Sequence, residues 1–321
     1  MSLGMATGTP SGGAWHGLVR AMPWVVTVVL ALALLAQIGP DLRDFLSLRW
    51  GWVGSALTVS VVGNVFLASV KLWLLMRWTA VHSLGLWGTH RMILGLLAAT
   101  FFAPFQSGHV LYVAALGRLA RIPLGRALEI IVLDKWLTVC ATAAWMAVGG
   151  VFVPEGPLPG GPWWTAAALG VATSPWWLRV LRPIGLRIPR LAATFRLVSN
   201  PISPGRVVVL MLLAVLYQST DILATWMGSR ALGAEVSWTT AMAVVPPVIF
   251  ASWMPLSVSG IGIRERALAF LLGRGTDWHE GLQMGVLVDF TEYLAPALLG
   301  LWALPSLLRR LSEPDGSGGR P

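Results

Sequence analysis

Apolar runs of about 17 to 25 residues follow one another from Pro23 almost to the C-terminus, each close to the roughly 20 residues that a helix needs to cross a bilayer. In hydrocarbon there is no water to satisfy backbone N–H and C=O groups, so such runs fold as helices that bond internally. Of 321 residues, 56% are hydrophobic and 12% charged, against about 25% charged in soluble domains. A soluble globular fold is excluded. The expectation is an all-α integral membrane protein with about six to eight transmembrane helices.

Residues 1–20, rich in Gly, Ser and Thr, read as a disordered tail, 21–305 as one polytopic domain and 306–321 as a C-terminal tail. Pro23 to Gly39 reads as a retained first span, because no small-x-small cleavage site follows Ala36. Further spans are expected at Gly51 to Met76, Arg126 to Phe152, Trp163 to Trp177 (short), Val207 to Gly228 and Gly281 to Leu304. The 18 tryptophans cluster near segment ends such as Trp50, Trp52, Trp163 and Trp177, as interfacial belts require. Cys140 is the single cysteine, which excludes a disulfide framework and a cysteine metal site. All but Lys71 and Lys135 of the 23 basic residues are arginine, and they sit mainly in loops. In a membrane protein this +9 net charge reads as topology and anionic-lipid contact, with no nucleic-acid partner.

Two segments are long enough to enter the bilayer but are interrupted in the middle. In Met92 to Gly117, 12 residues to Ala103 make about 18 Å of helix before Pro104-Phe-Gln-Ser107-Gly108-His109 intervenes. In Trp238 to Gly273, Pro246-Pro247 precedes Pro255-Leu-Ser257-Val-Ser259-Gly260-Ile-Gly262-Ile-Arg264-Glu265. Irregular backbone at membrane depth survives only where protein or a wet cavity satisfies it, so both segments are expected to line an interior site. They also belong to a weak internal repeat. Pro104 lies 30 residues before Asp134 and Pro255 lies 34 before Asp289, with each Asp ending a similar apolar run. Interrupted segments at corresponding places in two halves point to a transporter binding site.

Both segments either re-enter or cross. With re-entry the N-terminus is cytoplasmic and the repeats are inverted; with eight crossings it is outside. Both arrangements put Arg118, Arg121, Arg126 and the Arg179 to Arg206 loop in the cytoplasm, and they differ on the C-terminus and Arg264.

Lys71, Glu129, Asp134, Lys135, Asp221, Asp289 and Glu292 fall within apolar runs, where a charge costs about 2.5–3.5 kcal/mol on insertion scales. Such residues face an interior, either pairing across helices, for example Asp221 with Lys71 or Lys135, or serving function. Asp289 and Glu292 share a helix face and suit a proton, a cation or Arg264. Arg264 follows two glycines whose backbone can approach a ligand, and its planar fork suits a phosphate. A lone His109 reads first as a satisfied interior histidine.

The run Pro246 to Glu265 resembles the proline- and glycine-rich segment, ending in Gly-x-Gly-x-Arg-Glu, of the flippase-like membrane proteins. Their membrane region is shared with lysylphosphatidylglycerol synthases. Pro104 through Gly117-Arg118, Ala127-Leu128 and Asp134-Lys135 is similar to that family's other signature region. The chain departs from it with Ser107-Gly108-His109 and Tyr112, where the family usually has a Gly-Gly-Glu type of turn followed by arginine. The resemblance covers about residues 20 to 305. It implies movement of a lipid or lipid-linked headgroup between leaflets. The synthases carry aminoacyl transfer on a separate soluble domain, so no such activity is expected of this chain.

No metal-ligand spacing among the five His, no Gly-x-Ser-x-Gly elbow and no phosphate-binding Gly-rich loop is present, so neither catalysis nor ATP-driven transport is expected. No cofactor or metal is implied. The reading is a bacterial inner-membrane protein that translocates or scrambles a phospholipid, aminoacyl-phospholipid or lipid-linked sugar. Ser257, Ser259, Gly260, Gly262, Arg264 and Glu265 would hold the headgroup. Pro104, Ser107, Gly108, His109, Pro246, Pro247 and Pro255 would shape the interrupted segments, and Asp134, Lys135, Asp289 and Glu292 would reshape the cavity or couple ions. The alternative is a non-transporting scaffold that docks a cytoplasmic glycosyltransferase or lipid-modifying enzyme through the Arg179 to Arg206 loop.

Overall fold

A computed structural model describes residues 47–79, 84–102, 108–153, 162–177, 181, 187, 202–253, 262–272 and 278–312. These residues are helical, without strands. Helix α1 spans Trp50–Thr79, α2 Leu86–Phe102, α3 Gly108–Leu119, α4 Leu124–Phe152 and α5 Pro162–Ala172. Then come α6 Pro204–Leu232, α7 Trp238–Ser252, α8 Ile263–Leu272, α9 Trp278–Gly300 and α10 Leu304–Ser312.

Three of them, α1, α4 and α6, are long and apolar enough to cross a membrane; α9 with α10, bent by 56° at their junction, makes a fourth if the pair is one span. The expected first span at 23–39 lies outside the described residues. Each long helix extends its apolar run by a few residues where local chemistry permits. Pro204 occupies the first turn of α6, where its missing N–H costs nothing. At the other end Gly233 adopts φ 81°, and the Gly233 and Ala234 amides close on Arg230 and Ser229 carbonyls, satisfying the last turn.

The helices define two ends. The α1 and α6 helices are antiparallel: the Arg49 amide bonds the Ala231 carbonyl at 3.0 Å, and the Arg206 guanidinium lies over the Trp78 ring at 5.6 Å. At the Trp78 end, Leu72, Met76, Ala120, Ile122, Val207 and Leu307 share one core, so α3 finishes and α10 packs where α1 ends and α6 begins. Leu84, just ahead of α2, packs on that core too. Arg77, Arg118, Arg121, Arg126 and Arg206 make this the arginine-rich end. The opposite end is closed by tryptophans, with Trp226 edge-on to Trp52 (5.8 Å) and Trp238 (6.0 Å).

The α2 and α3 helices therefore both have their outer ends at the arginine-rich end. The α7 and α8 helices mirror them at the tryptophan end: α7 starts at Trp238, and α8 runs antiparallel to α9, Gly285 abutting Glu265 and Gly281 abutting Ala269.

Four expectations are corrected. The Pro246-Pro247 pair does not interrupt a helix, because α7 runs through both. Prolines there deprive the Met242 and Ala243 carbonyls of their helical donors. Gly149 of α4 packs against those two residues so closely that a Cβ would lie 2.5 Å from the Met242 oxygen, which lets backbone cover the gap. Helix α2 begins at Leu86 rather than Met92, making about 25 Å of helix. Residues 306–312, expected as tail, belong to α10, whose Leu307 is buried against Gly95. Glu129 is not interior: it is half-buried and ion-paired with Arg126 one turn away at the arginine-rich end.

Candidate functional site

Two helices carry a π turn near their middle, Val62–Leu67 in α1 and Asp289–Leu294 in α9. A π turn admits one extra residue and disturbs the helical bonding, and it recurs at functional sites. Here the two turns meet. Asn64, at the midpoint of α1, donates from Nδ2 to the Glu292 carbonyl (3.2 Å) and to Ser60 Oγ (3.2 Å). Its Oδ1 accepts from the Tyr217 hydroxyl at 3.0 Å. The close approach of α1 to α6 rests on Gly63, where a Cβ would collide with Thr220.

On the arginine-rich side of this junction lies the first charge cluster. Lys71 Nζ is 3.0 Å from Asp134 Oδ1 and donates to Thr138 Oγ1 at 2.9 Å, with Lys71 and Asp134 both buried. The same ammonium sits 5.2 Å from the centre of the Tyr217 ring, an attractive arrangement for a desolvated cation. These groups line a cavity of about 150 Å³ with Asn64, Thr100, Tyr112 and Lys135 on its wall. Lys135 differs from its neighbours in being exposed.

The second cluster surrounds Arg264. Its guanidinium is ion-paired with Asp289 and lies 3.6 Å from the centre of the Tyr293 ring, with 4% of the side chain exposed. Glu265 caps α8: its carboxylate accepts from the Gly262 amide at 2.7 Å, the return half of a capping box. Gly262 has φ 84°, a conformation that favours glycine, and its carbonyl accepts from Arg266 Nη1 at 3.0 Å. Glu292 Oε1 accepts from Thr225 Oγ1 at 3.1 Å. Asp221 is buried within electrostatic reach of both Arg264 and Glu292. One guanidinium thus faces the carboxyl groups of Asp221, Glu265, Asp289 and Glu292.

Along α6, Tyr217, Asp221 and Thr225 recur every four residues, so a single stripe about 12 Å long links the two clusters. The structure thus unites Asp289, Glu292, Arg264, Glu265 and Gly262, and separately Asp134 with Lys135. The pairing of Asp221 with Lys71 or Lys135 does not form, because Lys71 is taken by Asp134 on the facing helix. Pro104, Ser107, Pro255, Ser257, Ser259 and Gly260 lie outside the described residues; of Gly108 and His109, only their position at the start of α3 is described. Among the described residues no group of His, Cys, Asp and Glu is arranged to hold a metal ion.

Asn64, Tyr217, Thr225 and Tyr293 escaped the sequence reading. The signal for Asn64 was available: a side-chain amide at the centre of an apolar run needs a partner across helices. Nearby, two adjoining apolar grooves of about 520 and 600 Å³ share Val61, Val62 and Leu299 on the outer faces of α1 and α9.

No curated protein matches the chain significantly. The model of the family described as the lysylphosphatidylglycerol synthase TM region matches residues 22–300, which include both charge clusters and every helix from α1 through α9. Membership suggests a membrane protein involved in lipid handling. The chain belongs to the lysylphosphatidylglycerol synthase transmembrane-region family.

Proposed function

We propose that this protein moves a lipid between the leaflets of a bacterial cytoplasmic membrane, without chemistry on the lipid. The observation that carries the reading is the run of buried polar contacts, from Lys71 and Asp134 through Tyr217 and Asn64 to Glu292 and Arg264, at the middle of helices that otherwise present hydrocarbon. Buried charge at that depth is costly and needs a return in function or in assembly. The polar head follows this stripe while the tails stay in lipid, in grooves such as those beside Val61 and Leu299. Arg264 exchanges Asp289 for the headgroup's anionic part, and Ser257, Ser259 and the Gly260 backbone supply further hydrogen bonds, while the Gly262 amide and carbonyl stay engaged by Glu265 and Arg266. Asp134, Lys135, Asp289 and Glu292 reshape the cavity or couple ions.

In the same proposal, α2–α3 and α7–α8 are re-entrant hairpins from opposite faces, forming an inverted repeat with α1 and α4 answering to α6 and α9. The shared end of Trp78, Ile122, Arg206 and Leu307 supports it, as does the excess of arginine there, which the positive-inside rule assigns to the cytoplasm.

The test is leaflet exchange of a fluorescent phospholipid in proteoliposomes, read by reduction of the outer-leaflet dye. Arg264→Ala and Glu265→Gln, each checked for folding, are expected to slow exchange at least about tenfold. Exchange at the wild-type rate in both variants, or no exchange by the wild type, overturns the assignment.

A further inference from the structure

We infer that Lys135, with Lys71 and the Tyr112 hydroxyl, forms a binding site for the phosphate of a membrane lipid in the cavity between α1, α2, α3, α4 and α6. The inference rests on the lipid-movement reading and places a phosphate site away from Arg264.

Lys135 lies nine residues into the span from Arg126, about 14 Å below the arginine-rich end. Two charges act on it, the adjacent Asp134 and Lys71. Asp134 is already engaged by Lys71, so the pair is neutral and Lys135 leaves the cavity with a net positive charge. Among the described residues the Lys135 ammonium makes no hydrogen bond and no ion pair. An ammonium at that depth without a counter-charge is costly, and an anion from the surroundings would offset that cost.

The shape of the cavity indicates which anion. Its volume, about 150 Å³, is that of about five waters at roughly 30 Å³ each, enough for a phosphate group and too small for acyl chains. Tyr112 is buried, with 8% of its surface exposed, and its hydroxyl has no hydrogen-bond partner among the described residues although it lines the cavity. Thr100 adds a second hydroxyl on the α2 wall. Ammonium and hydroxyl donors around a small cavity match the acceptor oxygens of a phosphate.

The position of Lys135 indicates the source. Leu128 and Val132 precede it on the same face of α4 and are exposed, 45% and 38%, so this apolar face is open beside Lys135. A headgroup can thus be held in the cavity while its tails lie along Leu128 and Val132. Tyr112 also stands four residues after Gly108, as Arg264 stands four after Gly260. In this half the cation comes from α1 and α4 instead of from the helix after the break.

The experiment titrates purified protein with dihexanoyl phosphatidic acid, dihexanoylglycerol and inorganic phosphate, reading binding by calorimetry. Wild type and Lys135→Arg are expected to bind the phosphatidic acid, and Lys135→Gln to bind it about tenfold or more weakly. Tyr112→Phe should weaken it several-fold, and dihexanoylglycerol should not bind. Lys135 is exposed, so Lys135→Gln is expected to fold, which gel filtration checks. Equal affinity of wild type and Lys135→Gln overturns the site. Equal affinity for phosphatidic acid and inorganic phosphate overturns the lipid source. The exchange assay run on the same preparations separates the two readings: binding that depends on Lys135, without exchange by the wild type, retains the site and removes the transport function. Exchange without such binding does the reverse.

Discussion

The Tyr217 hydroxyl donates to Asn64 Oδ1 across 3.0 Å, while the ring of the same tyrosine lies 5.2 Å from the Lys71 ammonium. Tyr217 and Asn64 therefore join the two charge clusters, Asn64 completing the link at the Glu292 carbonyl. Tyr217→Phe keeps the ring under Lys71 and removes only the hydroxyl. It is expected to cost about 1 kcal/mol of stability, the worth of a typical buried hydrogen bond. Asn64→Leu should cost more, about 1–3 kcal/mol, because it leaves both the Tyr217 hydroxyl and the Glu292 carbonyl without this partner. Equilibrium unfolding in mixed micelles measures both; a larger loss in Tyr217→Phe than in Asn64→Leu contradicts the arrangement.

The ion pairs predict a specific non-additivity. Removing one partner of a buried pair leaves an uncompensated charge and typically costs about 3–5 kcal/mol, whereas replacing both by apolar groups is often near neutral. Lys71→Met alone should therefore destabilise far more than Lys71→Met combined with Asp134→Leu. The quantity to measure is the coupling in a double-mutant cycle; simple additivity would mean that the two side chains do not form a pair.

Two glycines of similar sequence context should behave oppositely. A Cβ at Gly285 would overlap Glu265 of α8, whereas one at Gly54 meets nothing within 4 Å. Gly285→Ala is expected to lose about 1–3 kcal/mol by forcing α8 from α9. Gly54→Ala should be neutral or gain up to about 1 kcal/mol from helix propensity. Thermal unfolding of the two variants side by side makes the comparison.

Sidedness follows from the ends of the bundle. In a Cys140→Ala background, single cysteines at Arg121 and Ser312 should react with an impermeant thiol reagent from one side of the membrane, and one at Glu235 from the other. All three positions are exposed. Labelling of Arg121→Cys and Ser312→Cys from opposite faces would overturn the re-entrant arrangement in favour of eight crossings.

The long elements were legible because hydrocarbon enforces a simple rule: Gly51 to Met76 and Val207 to Gly228 stand out as unbroken apolar runs, and α1 and α6 extend them by only a few residues. Proline was a poorer guide. At 246 and 247 its missing donors are accommodated by Gly149, a residue on another helix almost a hundred positions earlier, which no local pattern shows. The charged residues of the site were visible one at a time as anomalies in apolar runs. Their partners were not. The bond from Tyr217 to Asn64 spans 153 residues, and the choice of Asp134 over Asp221 for Lys71 depends on height along α1, because Asp221 follows Thr220, which packs level with Gly63. Glu129 was misplaced because the apolar run was extended to Phe152 without its first turn being recognised as an interface where Arg126 can reach it.

The two ion pairs also carry a timetable for biosynthesis. Lys71 is made 63 residues before Asp134 (134 − 71), whereas 25 residues separate Arg264 from Asp289. At about 5–20 residues per second, Lys71 waits roughly 3–13 s for its counter-ion and Arg264 roughly 1–5 s. During that interval an unpaired charge in lipid costs about 2.5–3.5 kcal/mol. Helix α1 is long and apolar enough to tolerate that burden alone, but α8, ten residues in length, is not. Helix α1 is thus suited to entering the membrane alone with Lys71 unpaired, and α8 to entering as a preassembled pair, carried in by α9.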